Sequence, residues 1–328
     1  MLALSIAASY AAPPPDRRVA PSSSEDSKPY YQTAAAPDFK ERRVIFGRPD
    51  ANTPEAQFAL AQKFEAEGRF RRAGRAYNAL VCEWPASTNA PAAQLKFAEM
   101  LANRGNKRIL DSFREYQYFL DVFAGGDEAG IKDVFEKQFA LANLLFSRLD
   151  KGFWSSPDPE VVADMYKRLV SNAPDWERAP ECQFNRGMAF ESKRAWYDAA
   201  AAYEALASRY PRSDLRASAL YRAAHCRAKL SKAYPRDERL LKNAIAALNT
   251  AYAADAAHEG AEAALEERKA FAAELSKLNF EKARFYDEIR KNPGAAVIAY
   301  KAFLAEFPRS AEAETARRRV AELENAAH

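Results

Sequence analysis

Small and apolar residues recur along this chain at helical spacing. Ala61, Gly68, Ala73, Tyr77, Leu80 and Pro85 are separated by 7, 5, 4, 3 and 5 positions, and Gly187, Arg194, Ala199, Tyr203, Leu206 and Pro211 by the same intervals. The second half of this unit returns at Val162, Tyr166, Leu169, Pro174 and at Ala296, Tyr300, Phe303, Pro308. Positions three and four apart share one helix face, so the aromatic and the apolar residue after it form a buried stripe. The small residue at the start lets an antiparallel helix approach closely. Proline then removes a backbone donor and constrains the residue before it, which predicts helix stops at Trp84-Pro85, Ala173-Pro174, Tyr210-Pro211 and Phe307-Pro308. The unit is a helical hairpin. One hairpin alone leaves an apolar face in water, so neighbours must stack on it and a superhelix follows.

Degenerate copies fill the intervals. Ala98, Leu101 and Gly105 open one, with Ser112, Tyr116 and Phe119 on its second helix; Ala142 and Leu145 open the next, and a longer loop over 150–159 leads to its second helix. Ala224 opens a fifth, whose loop through Tyr234-Pro235 leads to Ala244, Leu248 and Ala251; the last begins within a long helical pattern over 259–291. These residues resemble the tetratricopeptide repeat, whose 34-residue unit carries small, aromatic and proline positions in this order. The resemblance is most specific over 53–86 and 180–213. It implies an all-α fold: a tetratricopeptide-repeat superhelix of about six helical hairpins over residues 53–325. Arg317-Arg318-Arg319, between Glu312, Glu314 and Glu322, Glu324, reads as a charged helix closing the solenoid with a polar face.

The N-terminal part differs. Leu2-Ala3-Leu4-Ser5-Ile6-Ala7-Ala8 followed by Ser9-Tyr10-Ala11 gives residues 1–12 the look of a signal peptide. Residues 13–52 are rich in Pro, Ser, Ala and mixed charge without sustained periodicity, and read as a disordered tether. Tyr30-Tyr31 and Val44-Ile45-Phe46 are its only adhesive points. No other stretch reaches the apolar length of a membrane span.

Composition narrows the chemistry. The chain has 328 residues but only 11 glycines, so few positions can host phosphate-cradling loops, and its 18 prolines must punctuate helices. Forty-nine Lys and Arg against 45 Asp and Glu leave a formal net charge of +4, not the excess of a dedicated nucleic-acid binder. Arg69, Arg71, Arg72 and Arg75 surround the first interhelix turn and read as a solvated turn or a basic patch on one edge. Cys82, Cys182 and Cys226 have no C-x-x-C spacing and are expected to be buried thiols, with a Cys182 to Cys226 pairing left open. His225, His258 and His328 make no paired ligand set, and adjacent carboxylates such as Glu266-Glu267 and Asp287-Glu288 diverge by about 100° on a helix. Neither a nucleophile elbow, a P-loop nor a dinucleotide fingerprint occurs, so the sequence gives no foothold for catalysis, metal or cofactor.

Partner binding is expected instead on the first helix of each hairpin, which the repeat resemblance places on the concave face. Alignment of the copies brings Phe58, Phe139, Phe184, Tyr221 and Phe280 to one equivalent position, with Leu95 the non-aromatic member. They are either a binding stripe or core aromatics. Gln62, Glu99, Asn143, His225 and Arg284 follow one turn later and are the expected polar contacts for an extended protein segment.

The C-terminal run Leu278-Asn279-Phe280-Glu281-Lys282-Ala283-Arg284-Phe285-Tyr286, followed by a short turn and residues 296–308, resembles the closing repeats of the BamD family, tetratricopeptide components of bacterial outer-membrane β-barrel assembly. Phe303-Leu304-Ala305-Glu306-Phe307-Pro308 is shared in kind with other envelope repeat proteins such as the Tol-Pal coordinator. This resemblance implies a non-enzymatic periplasmic scaffold, outer-membrane associated at most indirectly, with a β-barrel assembly protein or unfolded clients as partners. The chain departs from the family in that no cysteine precedes Cys82, so the family's lipid anchor is not expected. A coordinator of cell-wall or polysaccharide machinery is the second expectation, and a helical hydrolase or lyase using the groove as a cleft the third.

Overall fold

The computed structural model describes residues 48–103, 108–124, 128–149 and 156–325. Among them thirteen α-helices follow one another: α1 (Pro54–Ala66), α2 (Phe70–Glu83), α3 (Ala90–Ala102), α4 (Ile109–Phe123), α5 (Glu128–Phe146), α6 (Pro159–Asn172), α7 (Ala179–Ser192), α8 (Trp196–Arg209), α9 (Arg216–Ala233), α10 (Glu238–Ala254), α11 (Ala261–Arg284), α12 (Pro293–Glu306) and α13 (Ala313–Asn325). The first twelve pair as six hairpins, each packed on the next, and α13 closes the series against α12. The fold is the expected all-α tetratricopeptide superhelix.

The four expected stops are helix ends. Trp84, Ala173, Tyr210 and Phe307 each donate their N–H to the carbonyl four residues back, at 2.8 to 3.0 Å, and then leave helical geometry with φ between −136° and −121°. The proline that follows bars the helical region for the residue before it, so one chemical cause produces four matching ends. After each, a turn closes in the same way: Ser87, Trp176, Ser213 and Ser310 donate back to Trp84, Ala173, Tyr210 and Phe307. The small residues Ala73, Val162, Ala199 and Ala296 are fully buried. So are Tyr77, Tyr166, Tyr203 and Leu80, Leu169, Leu206, with Tyr300 and Phe303 nearly so.

Helix starts use side chains to satisfy the free N–H groups of the first turn. Thr53 accepts from Ala56, Asp158 from Glu160, Asp237 from Arg239 and Leu240, and Asn292 from Ala295. The turn between α1 and α2 needs a left-handed residue, supplied by Gly68 at φ +69°. At the equivalent place between α7 and α8 stands Arg194 at φ +59°. A side chain in that region costs about 1–2 kcal/mol. Arg194→Gly is therefore expected to raise stability by up to about 1 kcal/mol, measured by urea denaturation; a loss would show that the Arg194 side chain contributes contacts of its own.

The structure refines the sequence reading at two places. The folded body begins before residue 53: the backbone amides of Asp50 and Ala51 both donate to Gln57 Oε1 at 3.0 Å, so the last part of the expected tether is fastened to α1. Cys182 and Cys226 are the expected buried thiols, both free and in separate core clusters, Cys182 with Val162 and Tyr166 and Cys226 with Tyr203, whereas Cys82 is only half-buried. Burial pushes the Cys226 thiol up to about 12, which leaves it protonated and unreactive. The expected signal peptide, the rest of the tether, Gly105 and most of the loop before α6 lie outside the described residues.

Ion pairs tie successive hairpins together. Glu238 at the start of α10 holds Lys242 at 2.9 Å and also Lys282 of α11, and hydrogen bonds from Lys282 and Lys242 pull its carboxyl down to about 2. A depressed carboxyl stabilises the folded state above its unfolded value of 4.5 and stops doing so as pH falls through the folded value. Between about pH 4.5 and 2, wild type should lose this contribution, whereas Glu238→Gln should be less stable near neutrality and show a flatter acid limb in urea midpoints against pH. Parallel acid limbs would exclude this linkage.

Candidate functional site

The face built by the first helices α1, α3, α5, α7, α9 and α11 carries the expected aromatic positions, and the structure shows what their rings touch. Phe58 meets Tyr77 edge-on with centroids 5.6 Å apart; Phe184 meets Tyr203 at 5.3 Å; Phe280 meets Tyr300 at 5.8 Å and Phe303 at 5.5 Å. Phe139 is buried between Tyr166 and Trp176. Tyr221 behaves differently. Its ring stacks on His258 at 4.1 Å and its hydroxyl donates to the Asp255 carbonyl at 2.6 Å, so it packs against the turn leading into the next hairpin. Phe58, Phe184 and Phe280 remain half-buried.

Around three of these rings the same four side chains assemble. In the first hairpin the Tyr77 hydroxyl donates to Glu65 at 2.6 Å, and Lys96 of the next hairpin reaches Glu65 at 3.0 Å. In the fourth, Tyr203 donates to Glu191 at 2.8 Å, and Arg222 of the fifth hairpin donates to Glu191 at 3.0 Å. In the sixth, Tyr300 donates to Asp287 at 3.3 Å, and Arg319 of α13 grips both Asp287 oxygens at 2.7 and 2.9 Å. The carboxylate follows the phenylalanine by seven residues, and the cation follows the tyrosine by 19, in all three. Each quartet links one hairpin to the next element along the series.

The electrostatics follow from this geometry. Burial raises the Glu65 carboxyl, but hydrogen bonds from Tyr77 and Lys96 outweigh it and hold the group below its ordinary value. The Arg319 guanidinium lowers Asp287 more directly, through two charge-assisted hydrogen bonds. Burial and the neighbouring Asp287 push the Tyr300 hydroxyl up to about 12, so it stays a donor. These groups are therefore fixed in charge near neutrality, with roles in joining hairpins.

A second device fastens the two helices within hairpins. Gln57 donates to the Ala76 carbonyl at 3.1 Å, Gln94 to Glu115 at 2.8 Å and Gln183 to Ala202 at 2.9 Å; Gln138 instead donates back across the hairpin boundary to Phe113 at 3.2 Å. All four glutamines are buried, where an unpaired carbonyl would cost about 1–3 kcal/mol. Each stands immediately before the aligned aromatic or, for Gln94, before Leu95, a recurrence visible in the sequence but not used in its reading.

Among the expected polar contacts, Gln62 and His225 are exposed and make no ion pair or hydrogen bond among the described residues. Asn143 accepts from the Tyr166 hydroxyl at 2.6 Å, Glu99 sits between Lys96 and Lys137 at 3.6 and 2.8 Å, and the exposed Arg284 is held by Glu288 at 2.6 and 2.9 Å. The expected residues thus share one face, but three of the five polar ones are engaged within the chain. Among the described residues no three His, Cys, Asp or Glu side chains group as a metal site, and no helix is long and apolar enough to cross a membrane.

No protein-family model matches the chain, and no curated protein sequence matches it. Solved structures do. The C-terminal part of a tetratricopeptide protein from Cytophaga hutchinsonii is 14% identical, with a TM-score of 0.32 over 81% of this chain and 88% of that one. PilW, a type IV pilus biogenesis factor, is 16% identical, with a TM-score of 0.27 over 81% of this chain and 99% of that one. The TPR2AB domain of yeast Sti1, solved in complex with an HSP90 peptide, is 13% identical, with a TM-score of 0.30 over 69% and 86%. The stacked helical hairpins with their matching ends make the fold of this chain tetratricopeptide-like. Stacked hairpins of this kind offer long surfaces suited to protein–protein interaction.

Proposed function

We propose that the chain is a non-enzymatic scaffold of the bacterial cell envelope, BamD-like in role, that holds a segment of a partner or client protein along the first-helix face for outer-membrane protein assembly. The observation that carries this reading is the series of equivalent half-buried rings, Phe58, Phe184 and Phe280, set beside the unengaged Gln62 and His225 on one face. Aromatic edges anchor apolar side chains of an extended segment, and amide and imidazole groups hydrogen-bond its backbone. The envelope part rests on the signal-like start and on the resemblance of residues 278–308, which run from the end of α11 through a π-helical turn at Phe285–Ile289 and all of α12. A fusion to a reporter active only outside the cytoplasm tests it: activity supports export, and silence from a stably produced fusion removes the envelope assignment. Purification from cross-linked envelopes then separates pathways. A β-barrel assembly protein supports the BamD-like role, whereas wall-synthesis or polysaccharide proteins without a barrel would move the function to a coordinator of that machinery.

A further inference from the structure

We propose that the outer end of the first hairpin, away from the first-helix face, binds a carboxylate-rich segment of a partner protein through Arg48, Arg72 and Arg75. These three arginines line a hollow of about 610 Å³ together with Asp50, Gln57 and Phe64. A second hollow of about 490 Å³ shares Arg72 and adds Arg69, Phe70 and Arg71. The two adjoin through Arg72, so five guanidinium groups border one surface, and among the described residues Asp50 is the one carboxylate lining either hollow.

The charge there is unspent. Arg69 pairs with Glu67 at 2.8 Å, but Arg48, Arg71, Arg72 and Arg75 make no ion pair or hydrogen bond among the described residues. Elsewhere the interhairpin cations have partners, as with Lys96, Lys137, Arg178, Arg222 and Arg319. The position explains the difference. In later hairpins a preceding hairpin supplies neighbours, whereas among the described residues no helix packs on this side of α1 and α2. The hollow is also held in shape, because Gln57 is locked by the Asp50 and Ala51 amides on one side and the Ala76 carbonyl on the other.

Ligand class follows from chemistry. Guanidinium forks bind carboxylates through two parallel hydrogen bonds, and several on one surface steer an acidic segment towards it. Phe70, 46% exposed, adds an apolar contact for a side chain between the acids. A nucleic acid fits less well, since Asp50 stands on the wall and the chain has a net charge of only +4.

The test measures fluorescence anisotropy of a fluorescein-labelled Glu/Asp-rich peptide titrated with the full chain near physiological salt. Wild type should bind saturably, and Arg72→Gln with Arg75→Gln should weaken binding by about tenfold or more. Arg48→Gln, which alters no helix, should weaken it in the same direction. Arg212→Gln with Arg309→Gln, exposed arginines elsewhere that remove the same charge, should leave binding unchanged. No saturable binding, equal weakening by both pairs, or tighter binding of a labelled single-stranded oligonucleotide than of the peptide would overturn the proposal.

Discussion

Tyr203→Ala is expected to destabilise the chain by about 3–5 kcal/mol, the range for removing a buried aromatic ring. Tyr203 is fully buried, packs against Phe184 and closes the quartet with Glu191 and Arg222. Its loss opens a cavity and breaks a link between the fourth hairpin and the fifth. Tyr203→Phe keeps the ring and removes only the hydroxyl, while Glu191 retains Arg222, so its cost should be about 0.5–1.5 kcal/mol. Urea denaturation followed by far-ultraviolet circular dichroism gives both values. If alanine and phenylalanine behaved alike, the hydroxyl and not the packing would dominate, contrary to the fold described.

Gly187→Ala should reverse the usual sign of its substitution. Within a helix, exchanging glycine for alanine ordinarily gains about 1 kcal/mol. Here a Cβ on Gly187 would lie 2.5 to 2.8 Å from three ring atoms of Tyr203, a ring held by Phe184 and Glu191. Overpacking of that kind costs about 1–3 kcal/mol. Gly294→Ala, where a Cβ meets only the Asn292 side chain at 3.8 Å, provides the contrast and should be neutral or mildly stabilising. A stabilised Gly187→Ala would mean that α7 and α8 do not approach as closely as described.

What could be read from the sequence and what could not have separate physical causes. The small, aromatic and proline positions report on local geometry, because helix faces and helix stops depend on residues within a few positions of each other. Hence Trp84-Pro85 and Tyr210-Pro211 identified helix ends, and the hairpins between them followed. The partners of Phe58, Phe184 and Phe280 depend on how hairpins stack. Lys96, Arg222 and Arg319 meet carboxylates some 30 residues earlier only because the next element packs alongside. Glu65 and Glu67 look equivalent in the sequence, yet Glu65 joins a tyrosine and the following hairpin while Glu67 pairs only with Arg69 beside it. The arginines of the first turn were legible as basic, but the hollows they line depend on how α1 and α2 pack around Gln57 and Phe64.

The most direct measurement of the central claim is site-specific photo-cross-linking in living cells, with the photoreactive residue placed in turn at Gln62, at His225 and at Tyr234. Tyr234, 62% exposed, lies in the turn between α9 and α10 and serves as the comparison. A protein partner recovered from Gln62 and His225 but not from Tyr234 is the predicted result, with a β-barrel assembly protein among the products. Equal recovery from all three positions, or from Tyr234 alone, would contradict a partner segment lying along the first-helix face.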